Sequence, residues 1–283
     1  MTARSGTIAR ELIKNAEKIG LNEKTVEDVR VGLTYVAVKL SGSDSCCGVG
    51  HVLRSELPAH CFAAEGLYPM IGKNASELAV LLLESDPLLP SIGIATINAV
   101  FSEHMGRLRG VVKGDVVDCL KLKDDDVVGM VGNFAPIVRR LEGRVSRVRV
   151  LERKPMDAGR PKGCAAGAMD EFVKYCPDWA WEEVLSECDV AIITASTIVN
   201  RTLDQLLSAC AGKAREIAIV GPTTPLAPEV LGKHGVTFLG GVRIISSGKV
   251  LEIISQGGGM NVFGRGAEKI SLSIRYSSTH KQR

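Results

Sequence analysis

The sequence predicts an α/β protein: a small α+β unit up to about residue 105, followed by a domain built on a parallel sheet. From about residue 110 onwards, short apolar runs alternate with stretches of helical periodicity. Such alternation is typical of buried parallel strands that are covered by helices on both faces. Because 283 residues exceed one average domain, we expect two domains, 1–105 and 106–283.

The first 105 residues are predicted to form a helix, a hairpin and further helices. Apolar residues on one helix face predict a helix over Ser5–Gly20, with Ser5 as its cap. The run Val26–Leu40 favours a strand, and Cys46–Leu53 is expected to return as the second strand of a hairpin. Ala75–Leu83 and Ser91–Phe101 are predicted to be helices, the first of them buried.

The second domain is predicted to alternate strands with helices. The predicted strands are Val127–Val131, Val148–Leu151, Val190–Thr194, Ile217–Val220 and Val236–Leu239. The predicted helices are Ala135–Leu141, Trp181–Ser186, Thr202–Ala211 and Leu226–His234. The connection Asp157–Pro177 is either functional or irregular, and Val242–Ile274 is expected to add strands.

The composition argues against several functional classes. Aromatic residues make up 4% of the chain and the net charge is +3, so nucleic-acid binding is not expected. The longest apolar stretch, Leu78–Phe101, contains charged residues and prolines, so no membrane span is expected. Eight scattered cysteines and no leader at Met1 predict a cytoplasmic protein with reduced thiols. Whether the chain forms a homo-oligomer is left open.

A glycine turn between a strand and a helix is the first candidate site. Gly129 and Gly132 end an apolar run, Asn133 follows, and Glu152 lies twenty residues beyond Gly132 at the end of the next predicted strand. Glycines allow a close approach of backbone to an anion, and an acid at this distance is the outline of a nucleotide site. The alternative is a turn that needs glycine only for packing, with Glu152 as a solvated strand end.

Two more loops follow predicted strands, and ligands bind outside the carboxyl ends of such strands. One carries hydroxyl and amide side chains at Thr194, Asn200 and Thr202. These residue types are also common helix caps, so a purely structural role is the alternative. The other loop is rigid and presents hydroxyls, through the residues Gly221, Pro222, Thr223 and Thr224.

Metal ligation is weakly supported by the sequence. Cys46, Cys47 and His51 lie in one predicted strand, with His60 and Cys61 beyond it. Adjacent cysteines in a strand point to opposite faces, so both cannot easily bind one ion. No metal ligand and no catalytic residue can be assigned, and the cofactor stays open between a nucleotide-like ligand and a metal.

Several stretches of the chain together form a recognisable set: Ser91–Ala99, Val128–Phe134, Val150–Arg153, Cys188–Thr194, Asn200 with Thr202 and Leu203, and Val220–Pro228. Through these stretches the chain resembles the DUF364 family of heavy-metal chelation proteins, with its companion DUF4213 N-terminal domain. The resemblance covers nearly the whole chain in the same order. The Cys46-Cys47 pair and the Asp157–Pro177 connection depart from the family pattern as we expect it.

The resemblance implies an N-terminal domain like that of enolase, a Rossmann-like C-terminal domain, and a site in the cleft between them. Asn98 would contribute to that site from the domain boundary. One hypothesis is a protein or enzyme that binds an anionic or nucleotide-like small molecule, in heavy-metal chelation or chelator metabolism. The other is a non-catalytic binding protein for a metal or a metal chelate, such as a chaperone or sensor.

Overall fold

The computed structural model describes residues 6–57, 66–153, 172–259 and 263–274. Its helices are α1 (Thr7–Lys18), α2 (Ala75–Ala79), α3 (Leu89–His104), α4 (Ala135–Leu141), α5 (Trp181–Ser186), α6 (Ser196–Val199), α7 (Leu203–Cys210), α8 (Pro228–Leu231) and α9 (Ser247–Ser255). Its strands are β1 (Val26–Val31), β2 (Tyr35–Leu40), β3 (Cys47–His51), β4 (Val111–Lys113), β5 (Val127–Val131), β6 (Arg147–Glu152), β7 (Val173–Pro177), β8 (Val190–Thr194), β9 (Glu216–Val220), β10 (Phe238–Ile244) and β11 (Ala267–Ser273).

The large sheet confirms the predicted α/β class. Its strand order is β4-β11-β10-β9-β8-β5-β6-β7. The six strands from β10 to β7 are mutually parallel, whereas β11 runs antiparallel to both of its neighbours. From β5 the chain continues to β6 and β7 on one side, and then returns to β8 on the other side of β5. The carboxyl ends of β5 and β8 therefore flank the point where the strand order reverses, which is where ligands bind in such sheets.

The N-terminal sheet differs from the predicted hairpin. The run Val26–Leu40 is two strands, β1 and β2, which pair with each other, and β3 pairs with β2 to complete an antiparallel sheet. Gly32 makes the turn between β1 and β2, where its N–H donates to the carbonyl oxygen of Tyr35. The Val- and Thr-rich composition of this run favours strands but does not locate a turn inside them.

The C-terminal end also departs from the prediction. Ser247–Ser255 is the helix α9 rather than a strand, and Val173–Pro177 is the edge strand β7 rather than part of an irregular connection. Among the described strands β7 pairs with β6 alone, and two of its residues are half-buried, so its sequence lacks the long apolar run of the central strands. The remaining predicted strands and helices of this half are present within a few residues of their expected bounds.

Helix α3 is the central element of the N-terminal unit. Residues 90–102 are all buried, which explains why the helix lacks a polar face. It packs directly on β3, because Gly48 and Gly50 present no side chain to it. A Cβ atom at Gly48 would lie 2.2 Å from the carbonyl oxygen of Ala95, and one at Gly50 would lie 2.1 Å from that of Ser91. Backbone therefore packs against backbone at this interface.

The two halves share one hydrophobic core. A single cluster of buried residues runs from α1, α2 and α3 into the helices that cover the large sheet. Asp204 of α7 also caps the amino end of α1, where its carboxylate oxygens accept from Gly6 N at 3.3 Å and Ile8 N at 3.2 Å. The predicted cap, Ser5, lies outside the described residues. Because the core is continuous, the boundary near residue 105 stays a prediction.

The described ranges also show how long and apolar the helices are and where several of the cysteines lie. None of the helices within them is long and apolar enough to cross a lipid bilayer. Cys188 and Cys210 are fully buried core residues, whereas Cys119 is only partly buried. His60 and Cys61 lie outside the described residues.

Replacement of Gly48 by alanine is expected to destabilise the protein. The new methyl group would overlap backbone atoms of α3, which cannot rotate away, so we expect a loss of about 1–3 kcal/mol in the free energy of unfolding. Urea denaturation measures this loss. Gly248→Ala in α9 is the matched control, because a Cβ there would meet no atom within 4 Å. Equal stability of Gly48→Ala and wild type would contradict the close packing.

Candidate functional site

A cleft of about 660 Å³ lies between the N-terminal sheet and the carboxyl ends of β5, β6 and β8. Its volume is within the range of ligand pockets. The large sheet contributes strand ends and the loops that follow them, while the N-terminal unit contributes the turn after β1 and the segment after β3. One wall of the cleft is formed by residues of the large sheet and its loops, among them Gly132, Glu152, Thr194, Asn200 and Thr202. The other wall includes His51 and Arg54 of the N-terminal unit.

Gly132 forms the floor of the cleft next to β8. Its φ of +85° belongs to the left-handed region that favours glycine. A Cβ atom there would lie 3.2 Å from Cγ2 of Thr194, so a side chain would crowd the neighbouring loop. Gly129 has a different position: it lies within β5, where a Cβ would lie 3.1 Å from Cys188 and Leu185. Gly129 does not line the cleft.

Glu152 binds the glycine loop directly. One carboxylate oxygen accepts from Asn133 N at 3.1 Å, and the other accepts from Arg153 N at 3.1 Å. The backbone N–H of Asn133 is therefore already used, while its side-chain oxygen is buried without a hydrogen-bond partner. The spacing between the glycine turn and Glu152 reflects a real contact between the two, at the end of neighbouring parallel strands.

The loop after β8 brings its polar groups to the cleft and also bonds within itself. The hydroxyls of Thr194 and Ser196 lie 3.0 Å apart, and Thr197 Oγ1 donates to the carbonyl oxygen of Thr194 at 2.6 Å. Asn200 Oδ1 accepts from both N and Oγ1 of Thr202, at 3.2 Å and 2.7 Å. These are turn contacts within the loop, because neither α6 nor α7 has a side-chain cap, and all of these side chains also line the cleft.

Arg201 fixes this loop against the N-terminal unit. It has a φ of +58°, which is strained for a residue with a side chain. Its guanidinium donates to the carbonyl oxygen of Leu83 at 3.1 Å. The strained turn therefore sits where the chain must present Asn200 and Thr202 to the cleft and Arg201 to the neighbouring unit.

The third loop does not reach this cleft. Thr223 and Thr224 are 2% and 4% exposed, and Thr224 Oγ1 donates to the carbonyl oxygen of Gly240 at 2.9 Å. Gly221 and Pro222 line a separate cavity beside Phe134. The structure thus brings two of the three loops together at the cleft and turns the third inward.

Asn98 bridges the two units from α3. Its Nδ2 donates to the carbonyl oxygens of Val49 in β3 and Thr223 in the third loop, both at 2.9 Å. Its Oδ1 is buried without a partner, next to a small cavity that Ser102 and Thr224 also line. Asn98 holds the N-terminal sheet in register with the strand ends of the large sheet.

Two aromatic side chains of the cleft were missed by the sequence analysis. The protein has two tryptophans, Trp179 and Trp181, and both line the cleft. The Trp179 side chain is 76% exposed. Their position two residues apart, in a chain poor in aromatics, is the signal that could have pointed to them.

His51 has a role other than the metal ligand considered from the sequence. Its ring lines the cleft and packs edge-on against Tyr35, with ring centroids 5.5 Å apart. Burial lowers the pKa of the imidazole, and Nδ1 is buried without a hydrogen-bond partner. The ring is therefore neutral at neutral pH.

The charged groups of the cleft differ in whether they are paired. Arg153 forms an ion pair with Glu56 across the cleft and lies 3.8 Å from Asp178. Arg54 is exposed and makes no ion pair with any described residue. No sequence signal separated Arg54 from the other arginines, because its free guanidinium depends on the fold.

Comparison with known proteins places this architecture in a family. The sequence profile of DUF364, described as "Putative heavy-metal chelation", matches residues 115–273, which is more than half of the chain. The chain belongs to the DUF364 family. The profile of DUF4213, which carries the same description, matches residues 13–101.

Relatives of this DUF364 protein share its fold. An uncharacterized protein of Methanocaldococcus jannaschii is 26% identical over 245 residues, which cover 85% of this chain and 86% of that protein. A DUF364 structure from Pyrococcus horikoshii superposes with a TM-score of 0.78 at 25% identity, covering 94% of this chain and 100% of that one. One from Desulfitobacterium hafniense has a TM-score of 0.73 at 23% identity, covering 93% and 98%. Both structures are described as proteins of unknown function.

The family description raises the question of a metal site. Among the described residues there is no group of three or more His, Cys, Asp or Glu side chains that could hold a metal ion. Cys46 and Cys47 are fully buried, and burial raises the pKa of both thiols, to about 11 and about 12. A thiol that stays protonated is a poor metal ligand. The described residues therefore do not fit direct ligation of a soft metal.

Replacement of Asn98 by aspartate is expected to weaken the fold in a pH-dependent way. A carboxylate there would face two carbonyl oxygens and a buried environment, so we expect a loss of about 3–5 kcal/mol at neutral pH. Burial would raise the pKa of the new carboxyl in the folded state, so the loss should shrink as the pH falls towards its unfolded value of about 3.9.

Urea denaturation at pH 4.5 and pH 7.5, as a difference from wild type at each pH, measures this effect. Asn22→Asp, at an exposed position, is the control and should show little difference at either pH. A loss in Asn98→Asp that does not change with pH would show that no buried charge is involved.

Proposed function

We propose that this protein binds a small anionic, nucleotide-like molecule in the interdomain cleft, and that it serves the handling or synthesis of a metal-chelating compound. The observation that carries the proposal is that the Arg54 guanidinium, which pairs with no described carboxylate, and the exposed Trp179 indole line the same 660 Å³ cleft at the switch point of a parallel sheet. These are the two groups that recognise a phosphate or carboxylate and a planar ring.

Arg54 is the best candidate for the anionic group. The N–H of Asn133 already donates to Glu152, so it would have to exchange partners before it could bind an anion. The Arg54 guanidinium needs no such exchange, because no described carboxylate pairs with it. A bidentate contact from a guanidinium to a carboxylate or phosphate is stronger than a neutral hydrogen bond.

Glu152 retains capacity for a ligand hydroxyl. A carboxylate can accept about four hydrogen bonds, and two of them are used by Asn133 N and Arg153 N. Glu152 also lines the cleft, at the end of the strand next to the glycine turn. In this proposal it binds a pair of hydroxyls, such as those of a ribose, while Thr194 and Asn200 provide further polar contacts.

Intrinsic fluorescence can test the proposal, because both tryptophans line the cleft. We expect AMP, ATP or S-adenosylmethionine to change the emission in a saturable way, with a dissociation constant below millimolar. Arg54→Gln should weaken binding of AMP by roughly tenfold to hundredfold, since a hydrogen bond to a charged group contributes about 1.5–3 kcal/mol. Binding of uncharged adenosine should not change.

Arg107→Gln is the matched control, because Arg107 is exposed and lines none of the three described cavities. It should bind AMP as wild type does. An absence of any saturable response to this panel at millimolar concentration would rule out the nucleotide-like ligand. Equal effects of the two substitutions would remove Arg54 from the site.

A metal chelate is the second candidate ligand. It is favoured by the oxygen-rich loops of the cleft together with the lack of a direct ligand set among the described residues. In this form the protein is a non-catalytic carrier or sensor that holds the metal through a bound organic chelator.

Elemental analysis after gel filtration distinguishes direct from chelated metal. Incubated with Ni²⁺ alone, the protein should retain less than one equivalent, because the described residues offer no ligand set. Incubated with nickel citrate, it should retain about one equivalent, and Arg54→Gln should lose it because the citrate carboxylates lose their cation. One equivalent retained from Ni²⁺ alone would contradict this view of the cleft.

A further inference from the structure

A second cavity of about 240 Å³ lies beside the cleft. It is lined by Phe134, which lies two residues after Gly132, by Ile137 of α4, by Pro222 of the third loop, and by Tyr35 of the N-terminal sheet. Strand β10 contributes Gly240 and Gly241 to the lining, and a Cβ atom at Gly240 would lie 3.2 Å from Val116 of the same lining. Like the cleft, this cavity is therefore built by both halves of the chain.

The wall between cleft and cavity is about one side chain thick. At one place along this wall, a Cβ atom at Gly132 in the cleft would lie 3.8 Å from the ring of Phe134 in the cavity. At a second place, His51 of the cleft packs edge-on against Tyr35 of the cavity. The two spaces are neighbouring compartments rather than distant sites.

Tyr35 brings an unused hydrogen-bond donor to the cavity. The residue is 7% exposed, and its ring is held between His51 and Phe263, with the Phe263 centroid 5.1 Å away. Its hydroxyl makes no hydrogen bond to any described residue, and its oxygen is not among the fully buried polar atoms that lack a partner, so the oxygen is solvent-accessible. Burial raises the pKa of the phenol to about 12, so the hydroxyl is a neutral donor at physiological pH.

The cavity carries little net charge. Its apolar surface comes from aromatic and aliphatic side chains, including Phe134, Ile137 and Val242. Lys269 and Asp115 at its edge lie 3.8 Å apart and offset each other. A charged ligand group gains little here, because it would displace this pair or lie against apolar walls.

We infer that this cavity binds an uncharged aromatic ring that carries a hydrogen-bond acceptor, with the Tyr35 hydroxyl as donor, next to the ligand held in the cleft. The inference deepens the proposed function and rests on it, because it makes the site a composite of a polar compartment and an apolar one. The ring belongs to a second molecule that binds beside the ligand of the cleft.

Benzamide is a suitable probe, since it joins an aromatic ring to a carbonyl acceptor, and toluene lacks the acceptor. Saturation-transfer NMR titrations should show benzamide binding to wild type. Tyr35→Phe should weaken benzamide about threefold to tenfold, the value of one neutral hydrogen bond, and leave toluene unchanged. Because the hydroxyl has no described protein partner, Tyr35→Phe should unfold at the same temperature as wild type or higher.

Val242→Phe should abolish binding of both probes, because the larger ring fills the cavity. Val112→Phe is its matched control on the edge strand β4, where Val112 is 48% exposed, and it should bind benzamide normally. Arg54→Gln should leave benzamide unaffected, and saturating AMP should not displace benzamide from wild type.

Each outcome separates this inference from the proposed function. Suppose that Arg54→Gln loses AMP binding, while Tyr35→Phe and Val242→Phe bind benzamide as wild type does. That result would overturn the aromatic subsite and leave the cleft proposal standing. Benzamide binding that depends on Tyr35, without any response to AMP, would overturn the nucleotide-like ligand alone. Displacement of benzamide by AMP would show a single compartment and overturn the composite site.

Discussion

The structure depends on the close packing of helix α3 against strand β3. Gly48 and Gly50 let the two backbones meet without side chains between them, and this brings Asn98 within reach of both β3 and the loop after β9. One donor of the Asn98 amide is thereby used within the N-terminal unit, at Val49, and the other across the boundary, at Thr223. The N-terminal sheet is held over the carboxyl ends of the parallel strands as a consequence, and the cleft exists because of that placement.

This arrangement explains how polar loops can serve packing and binding together. The contacts of Glu152 with Asn133 N, and of Asn200 with Thr202, order the loops before any ligand arrives. Preordered polar groups lose less conformational entropy when they bind, so less binding energy is spent on fixing them. Glycine at position 132 and the strained backbone at Arg201 are both found where the loops turn towards the cleft, which is where strained backbone commonly collects in proteins.

The chemistry of the site is divided between two compartments. The cleft carries the charged and hydroxyl groups, while the neighbouring cavity is apolar apart from Tyr35 and the paired charges at its edge. His51 and Tyr35 form the wall between them as an aromatic pair from adjacent strands. A site with this division suits a pair of molecules, one of them polar and the other aromatic. Direct binding of a bare metal ion fits the described residues less well.

The sequence by itself determined the α/β class, the central strands and helices of the second half, and the position of Glu152 at the end of the strand that follows the glycine turn. These follow from local periodicity and from the regular spacing of parallel strands, and both patterns are visible in a single sequence. It did not reveal the turn within Val26–Leu40, the edge strand β7 or helix α9, since short or half-buried elements carry weak patterns.

Only the tertiary structure decided which side chains meet at the cleft. Arg54, Trp179 and His51 line one cleft because two sheets far apart in sequence face each other, whereas Thr223 and Thr224 are turned inward by the same packing. The physical reason is that exposure and partnership are properties of the assembled fold. A hydroxyl after a strand looks the same in the sequence whether it faces a ligand or bonds to a neighbouring carbonyl.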